Sequence, residues 1–432
     1  MTHQKIKNKM TINRQSTIDT KETIMETFVM EKRIKQPVLS GLVTVGVLLV
    51  IVSLFWVVWS NVWQGIILLI GGSAVSGLSP EVKAHFLKES VEGTFFWMVI
   101  STWVWFTLSL GNYGKDKPGL KQPIAGLRYT GMALATGLIG FIIFSSLLGL
   151  WWEPFSFNAL FRPVDEAQAL LGIKGWAAIN FFALAVILAQ IPLTSLFGKY
   201  PFNRKNSDGF STGFGTLFLG LFLATIVWIF FIIPSFFTLQ IDGVQVTQQP
   251  FGDWSTALAW CQLFIFFFLL PAEGGEGYPQ KLVTSKQPWS GLVGLVIALL
   301  GAFLCLPMLR ALLTPLADSV AIAPDLAVAS FTLTIINVLL TWHHHVDDYP
   351  NKDVMPSTLG RILAQLAIVL VIGSILGVIW IKTVQLWPFG GNDLGLGHPM
   401  LGIMGGQFVY MMPMLFMNTF FDKWPMAVSR KK

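Results

Sequence analysis

The chain has 432 residues, of which 53% are hydrophobic and 12% charged, and its mean hydropathy is +0.63. Soluble domains carry about a quarter of their residues charged, so this composition excludes a soluble globular protein and points to the bilayer. The formal net charge of +6 follows from a one-sided distribution of basic residues and from contact with anionic headgroups, and no nucleic-acid partner is expected.

Residues 1–35 are polar and of mixed charge, without a short basic segment leading into an apolar core, so no cleavable signal is expected. They read as a cytoplasmic tail without fixed structure. Met30 offers an alternative start, and residues 1–29 are given no function. Ten apolar runs follow, near 38–60, 93–110, 127–150, 176–198, 213–239, 254–271, 288–308, 322–342, 358–382 and 401–421. Each can cross a hydrocarbon core of roughly 30 Å as a helix. The stretch 62–78 is shorter and rich in glycine and serine, and it reads as a re-entrant or interfacial piece. Residues 426–432 form a basic tail. The expected fold is all-α: a polytopic membrane protein of about ten transmembrane helices, with a single membrane domain over 36–425.

Basic residues set the orientation. If 62–78 does not cross, the loops near 111–128, 199–212, 272–287 and 343–361 share one side with both termini. That side holds 23 of the 29 Lys and Arg, against Lys83, Lys88, Arg162, Lys174, Arg310 and Lys382 on the other, whereas Asp and Glu divide 12 to 11. Both termini are therefore expected in the cytoplasm, the membrane being the plasma membrane of a prokaryote. The two cysteines, Cys261 and Cys305, form no CxxC or CxxCH pattern, so a disulfide framework or covalent haem is not expected.

A proline with a similar approach closes every second run: NYGKDKPG at Pro118, LFGKYPFN at Pro201, GGEGYPQK at Pro279, VDDYPNKD at Pro350 and FFDKWPMA at Pro425. The separations are 83, 78, 71 and 75 residues. A second signature opens the intervening runs, as QPVLSGL at 36–42, QPIAGL at 122–127 and QPWSGL at 287–292, and in looser form at 208–214 and 355–360. Self-similarity at a fixed period defines five parallel two-helix hairpins, about 36–118, 119–201, 202–279, 280–350 and 351–425. Proline stops a helix and the preceding Tyr or Trp anchors it at the interface, so these marks punctuate helices and carry no chemistry.

The third and fourth hairpins end in PAEGGEGYP and HHHVDDYP, far richer in titratable groups than their equivalents. Aligned on the prolines, the residue six before is Asn112, Ser195, Glu273, His344 and Thr419, and three before it is Lys115, Gly198, Glu276, Asp347 and Asp422. Matched places predict one cytoplasmic vestibule shared by Glu273, Glu276, His343, His344 and Asp347, able to gate or select by charge. The bland alternative is a solvated helix end. A metal set from His343, His344, Asp347 and Asp348 is the weaker reading, because Tyr349-Pro350 would end the helix that its i, i+4 spacing needs, and no cofactor is expected.

Charges are nearly absent within the expected spans, which argues against a buried proton relay or voltage sensor. Neutral polar residues do occur there, and Gln190, Gln262, Asn337, Gln407 and Asn418 are candidates to line a path, as is Asn180. Their plain role is hydrogen bonding between helices. Prolines at 192, 234, 271, 307 and 413 could break helices beside such a path. The repeats favour a transporter or permease of a small solute without its own ATPase, and a non-enzymatic role. The alternative is a membrane-embedded enzyme or subunit for redox or lipid chemistry at the cytoplasmic face, using the His, Asp and Glu cluster. The expected surroundings are lipid, the solute, and a second copy or a partner membrane subunit.

Overall fold

The computed structural model describes residues 28–113, 115, 120–150, 152–203, 208–237, 240–241, 244–245, 249–387 and 402–431. Pro118 and residues 1–27 lie outside these. Among the described residues the protein is helical, and eight of these helices are long and apolar enough to cross a membrane, which makes it a multi-pass membrane protein. We number the principal helices α1 (Pro37–Gly71), α2 (Pro80–Ser109), α3 (Ile124–Gly149), α4 (Glu166–Ser195), α5 (Gly209–Phe236), α6 (Trp254–Leu269), α7 (Trp289–Ser319), α8 (Pro324–His345), α9 (Thr358–Thr383) and α10 (Gly402–Thr419). Of these, α6 and α10 are the short ones.

Burial alternates along the chain. In α1, α3, α5, α7 and α9 only 22–33% of the apolar window is buried, against 83–94% in α2, α4 and α8. The odd helices are an outer layer and bury a narrow stripe that recurs every third or fourth residue. In α9 it is Arg361, Gln365, Val369, Gly373, Gly377 and Ile381. Small residues in such a stripe let helices approach closely where lipid offers no hydrophobic drive. The even helices form a closed inner ring, in which α2 packs on α4, α4 on α6, α6 on α8 and α8 on α10. Phe96 and Phe408 close it, with ring centroids 5.2 Å apart, and Trp103 Nε1 donates to Thr419 Oγ1 at 3.0 Å.

Three expectations need correction. Residues 62–71 continue α1 without a break, so there is no re-entrant piece, and the chain turns only at Gly72, whose φ of +55° suits glycine. At about 1.5 Å per residue the 35-residue α1 runs some 52 Å, well past the hydrocarbon core. The tail expected to lack structure contributes a strand, β1 (Phe28–Lys32), paired antiparallel with β2 (Ala427–Lys431) from the basic C-terminal tail. Charges are also less scarce inside helices than expected. Glu89 and Glu92 are buried in α2, which begins earlier than the apolar run at 93 suggested, and Arg310 in α7 makes a two-pronged ion pair with Asp325 of α8 at 2.6 and 2.7 Å.

The proline-marked turns share one backbone form. The third and second residues before the proline both have positive φ, at Gly198 and Lys199, Glu276 and Gly277, Asp347 and Asp348, and Asp422 and Lys423. The second of each pair donates its N–H to a carbonyl six residues back: Lys199 to Leu193, Gly277 to Pro271, Asp348 to Trp342, Lys423 to Met417. After α2 the same form falls on Gly111 and Asn112, with Asn112 bonded to Phe106. Tyr113 is thus the equivalent of Tyr200, and alignment on Pro118 is out of register by four residues. The QP signature ties the start of an outer helix to the end of an inner one. Gln122 accepts from the Gly126 N–H and donates to the Phe420 carbonyl, and Gln287 does the same with Gly291 and Leu196.

Candidate functional site

The inner ring encloses a cavity of about 320 Å³, to which each of its helices contributes wall. Ile100, Ile187, Ile265, Leu333 and Met411 are typical of the lining, and the polar groups are few: Thr107, Thr194, Ser195, Lys199, Gln262 and Glu273. Thr107 Oγ1, Ser195 Oγ, both polar atoms of the Gln262 amide and Glu273 Oε2 are buried without a hydrogen-bond partner. Buried polar groups are seldom left so, and an orphan set facing one cavity is the mark of a ligand or water site. Lys199 Nζ donates to the Ser109 carbonyl at 3.0 Å, and burial holds its pKa below the usual lysine range.

Glu273 stands where this cavity meets the histidine cluster. The left-handed turn after α8 stops the helix at His345 and swings Asp347 and Asp348 in different directions. His343 Nε2 is 3.2 Å and His344 Nε2 3.7 Å from Glu273 Oε2. The Nδ1 of His343 donates to Asp348 Oδ1 at 2.8 Å, and the Asn418 amide reaches His344 Nδ1 at 3.1 Å. Burial pushes the Glu273 pKa up, His343 pulls it partly back, and Asp348 raises it again.

The remaining candidates fall elsewhere. Asp347 turns away from Glu273 to Lys32 of β1 and Lys423, tying both termini to the α8 turn. Burial, with Lys32 close by, lowers the Lys423 pKa, and Asp347 opposes this. Glu276 is the counter-ion of buried Arg361. Gln190 accepts from Ser109 Oγ, and Gln407 bonds the Ser330 carbonyl and Thr334, while Asn337 donates to the Gln407 carbonyl. These three hold helices together. His345 faces the Met414 carbonyl at 3.4 Å, away from the cluster. Asn180, whose amide has no partner, sits with Gln262 beside a smaller pocket. Lys199, Thr107 and Ser195 are site residues that motif reading missed. The signal for Lys199 was its place two residues before Pro201, which Asp348 and Lys423 occupy in later turns.

Comparison of the chain with protein-family profiles, with curated proteins and with solved structures gives no match.

Proposed function

We propose that the protein is a permease for a small, largely apolar solute with one polar end, built from five hairpin repeats around the central cavity. The observation that carries this reading is the cavity itself, walled by every inner helix, apolar along its length and with its charged groups, Lys199 and Glu273, in turns that follow inner helices. Its volume falls in the range of small-molecule sites. The recurring left-handed turn, the paired glutamine joints and the alternation of outer and inner helices support the repeats. A second reading, a membrane enzyme acting on such a solute, draws support from the convergence of Glu273, His343 and His344.

Both termini and the proline turns are proposed to be cytoplasmic, on the strength of the 23 to 6 division of basic residues. In a background with Cys261 and Cys305 replaced, Lys281→Cys is expected to resist an impermeant maleimide in sealed cells and to react after permeabilisation. Labelling from outside would overturn the topology.

Ligand binding is expected to appear as a rise in thermal midpoint in detergent, because a ligand at a hundred times its Kd adds about 2.7 kcal/mol. Carboxylates and alcohols with short alkyl or aromatic bodies are the solutes to screen. Gln262→Leu should remove the response of any polar-headed hit while changing the unliganded stability by no more than about 1 kcal/mol, since it deletes buried amide atoms that have no partner. A hit whose shift survives both Gln262→Leu and Lys199→Met binds outside the cavity, and the permease reading then loses its site.

A further inference from the structure

We propose that Glu273, His343 and His344 form a binding site for a divalent first-row metal ion of the zinc class, set at the end of the central cavity. One ligand atom from each residue lies within 4.8 Å of the others. A tetrahedral ion with bonds of about 2.0–2.1 Å keeps its ligand atoms roughly 3.3–3.4 Å apart. The Glu273 oxygen lies 3.2 Å from one imidazole nitrogen and 3.7 Å from the other, so only small side-chain shifts are needed to seat an ion.

The surroundings suit a metal better than a plain ion pair. His343 gives its Nδ1 proton to Asp348, which directs the Nε2 lone pair toward Glu273. This carboxylate–histidine arrangement orients metal-bound imidazoles and raises their basicity. The Asn418 amide lies on the far nitrogen of His344, and with a half-turn its oxygen accepts Nδ1–H and frees Nε2 in the same way. Glu273 Oε2 is buried and accepts no well-formed hydrogen bond, although both imidazoles are close. An acceptor left in that state is what a cation would satisfy. Two imidazoles and one carboxylate prefer zinc, iron(II), cobalt or copper to magnesium or calcium, which take oxygen ligands. Three protein ligands also leave a coordination position open, and Glu273 borders the cavity. The inference holds whether the cavity carries its solute or converts it.

The test uses the full-length protein in detergent, purified through an affinity tag without histidine and stripped with a chelator. Titration with Zn²⁺ is expected to show one saturable equivalent, and Co²⁺ in its place should give the visible absorption of a low-coordinate site. Glu273→Gln combined with His344→Ala should lose at least 100-fold in affinity, and Asp348→Asn 10- to 100-fold, the range for a group that orients a ligand. His85→Ala should leave affinity unchanged. No saturable binding by the wild type overturns the site, as does Zn²⁺ affinity in the double variant equal to wild type. Were the double variant to lose its monodisperse elution, Asp348→Asn and the Co²⁺ spectrum of the wild type decide, and an octahedral, aqua-like spectrum refutes the assignment.

Discussion

Gly172→Val is expected to abolish assembly of the protein, and Gly172→Ala to lower its thermal midpoint by many degrees. A Cβ at this position of α4 would lie 1.9 Å from the Ala159 carbonyl oxygen and 2.8 Å from Phe86 Cε2. The carbonyl cannot turn aside, because it belongs to the short helix Phe157–Phe161, in which the Ala159 and Leu160 N–H groups bond Ser156, the capping Arg162 N–H bonds the Asn158 carbonyl, and the Leu160 carbonyl accepts from Trp176 Nε1 at 3.1 Å. One turn on, a Cβ added at Gly175 would lie 2.2 Å from the Pro154 carbonyl oxygen, so two glycines three apart make the groove that holds residues 153–161 against the inner ring. Overpacking a core typically costs 1–3 kcal/mol, and a clash with fixed backbone stands above that range. Gly46→Ala, with nothing within 4 Å, is the control and should be neutral or slightly stabilising in its helix. Midpoints by intrinsic fluorescence, together with yields from the membrane fraction, are the readout. A Gly172→Ala midpoint equal to that of Gly46→Ala would mean that this packing is wrong.

The second large effect is expected at Arg361. Its side chain is 3% exposed and bonds Glu276 through Nε at 2.8 Å and through Nη2, while Nη1 donates to the Met355 carbonyl at 2.9 Å. Glu276→Ala leaves that guanidinium buried without its counter-ion. Breaking a buried pair from one side costs about 3–5 kcal/mol. Because Glu276 is itself 34% exposed and water can replace part of its charge, the lower end of that range is expected. Glu276→Leu with Arg361→Met should recover most of the loss, since replacing both members of a buried pair with apolar groups is often neutral. Equal instability of the single and double variants would show that Arg361 is held by its carbonyl partners and that Glu276 is incidental.

Much of the architecture was legible in the chain because lipid imposes a simple rule: a helix in hydrocarbon must be apolar and about twenty residues long. That rule located most helices to within several residues, but Glu89 and Glu92 hid the first turns of α2, α4 begins ten residues before the expected 176, and α1 and α7 each run eleven residues past their expected ends at 60 and 308. Recurrence of Tyr-Pro and Gln-Pro marked the turns and joints, but not the register of the turn after α2, since the four extra residues before Pro118 shift Tyr113 away from its proline.

The candidate site was legible only as a place. HHHVDDYP and PAEGGEGYP stood out for their titratable groups, and matched positions paired Glu273 with His344. Nothing in the spacing says that Asp348 turns toward His343 while Asp347 turns out to two lysines, because consecutive left-handed residues decide that. Of the neutral polar candidates, the sequence could not separate Gln262, whose amide is unpartnered at the cavity wall, from Gln407, which bonds three groups of α8. Both are buried amides on apolar helices, and the difference is which neighbour each helix face meets. By itself, then, the sequence determined the membrane class, the helices and their punctuation. Only the tertiary structure decided which helices form the inner ring, because lipid tails are as apolar as a protein core and hydrophobicity alone cannot tell one from the other.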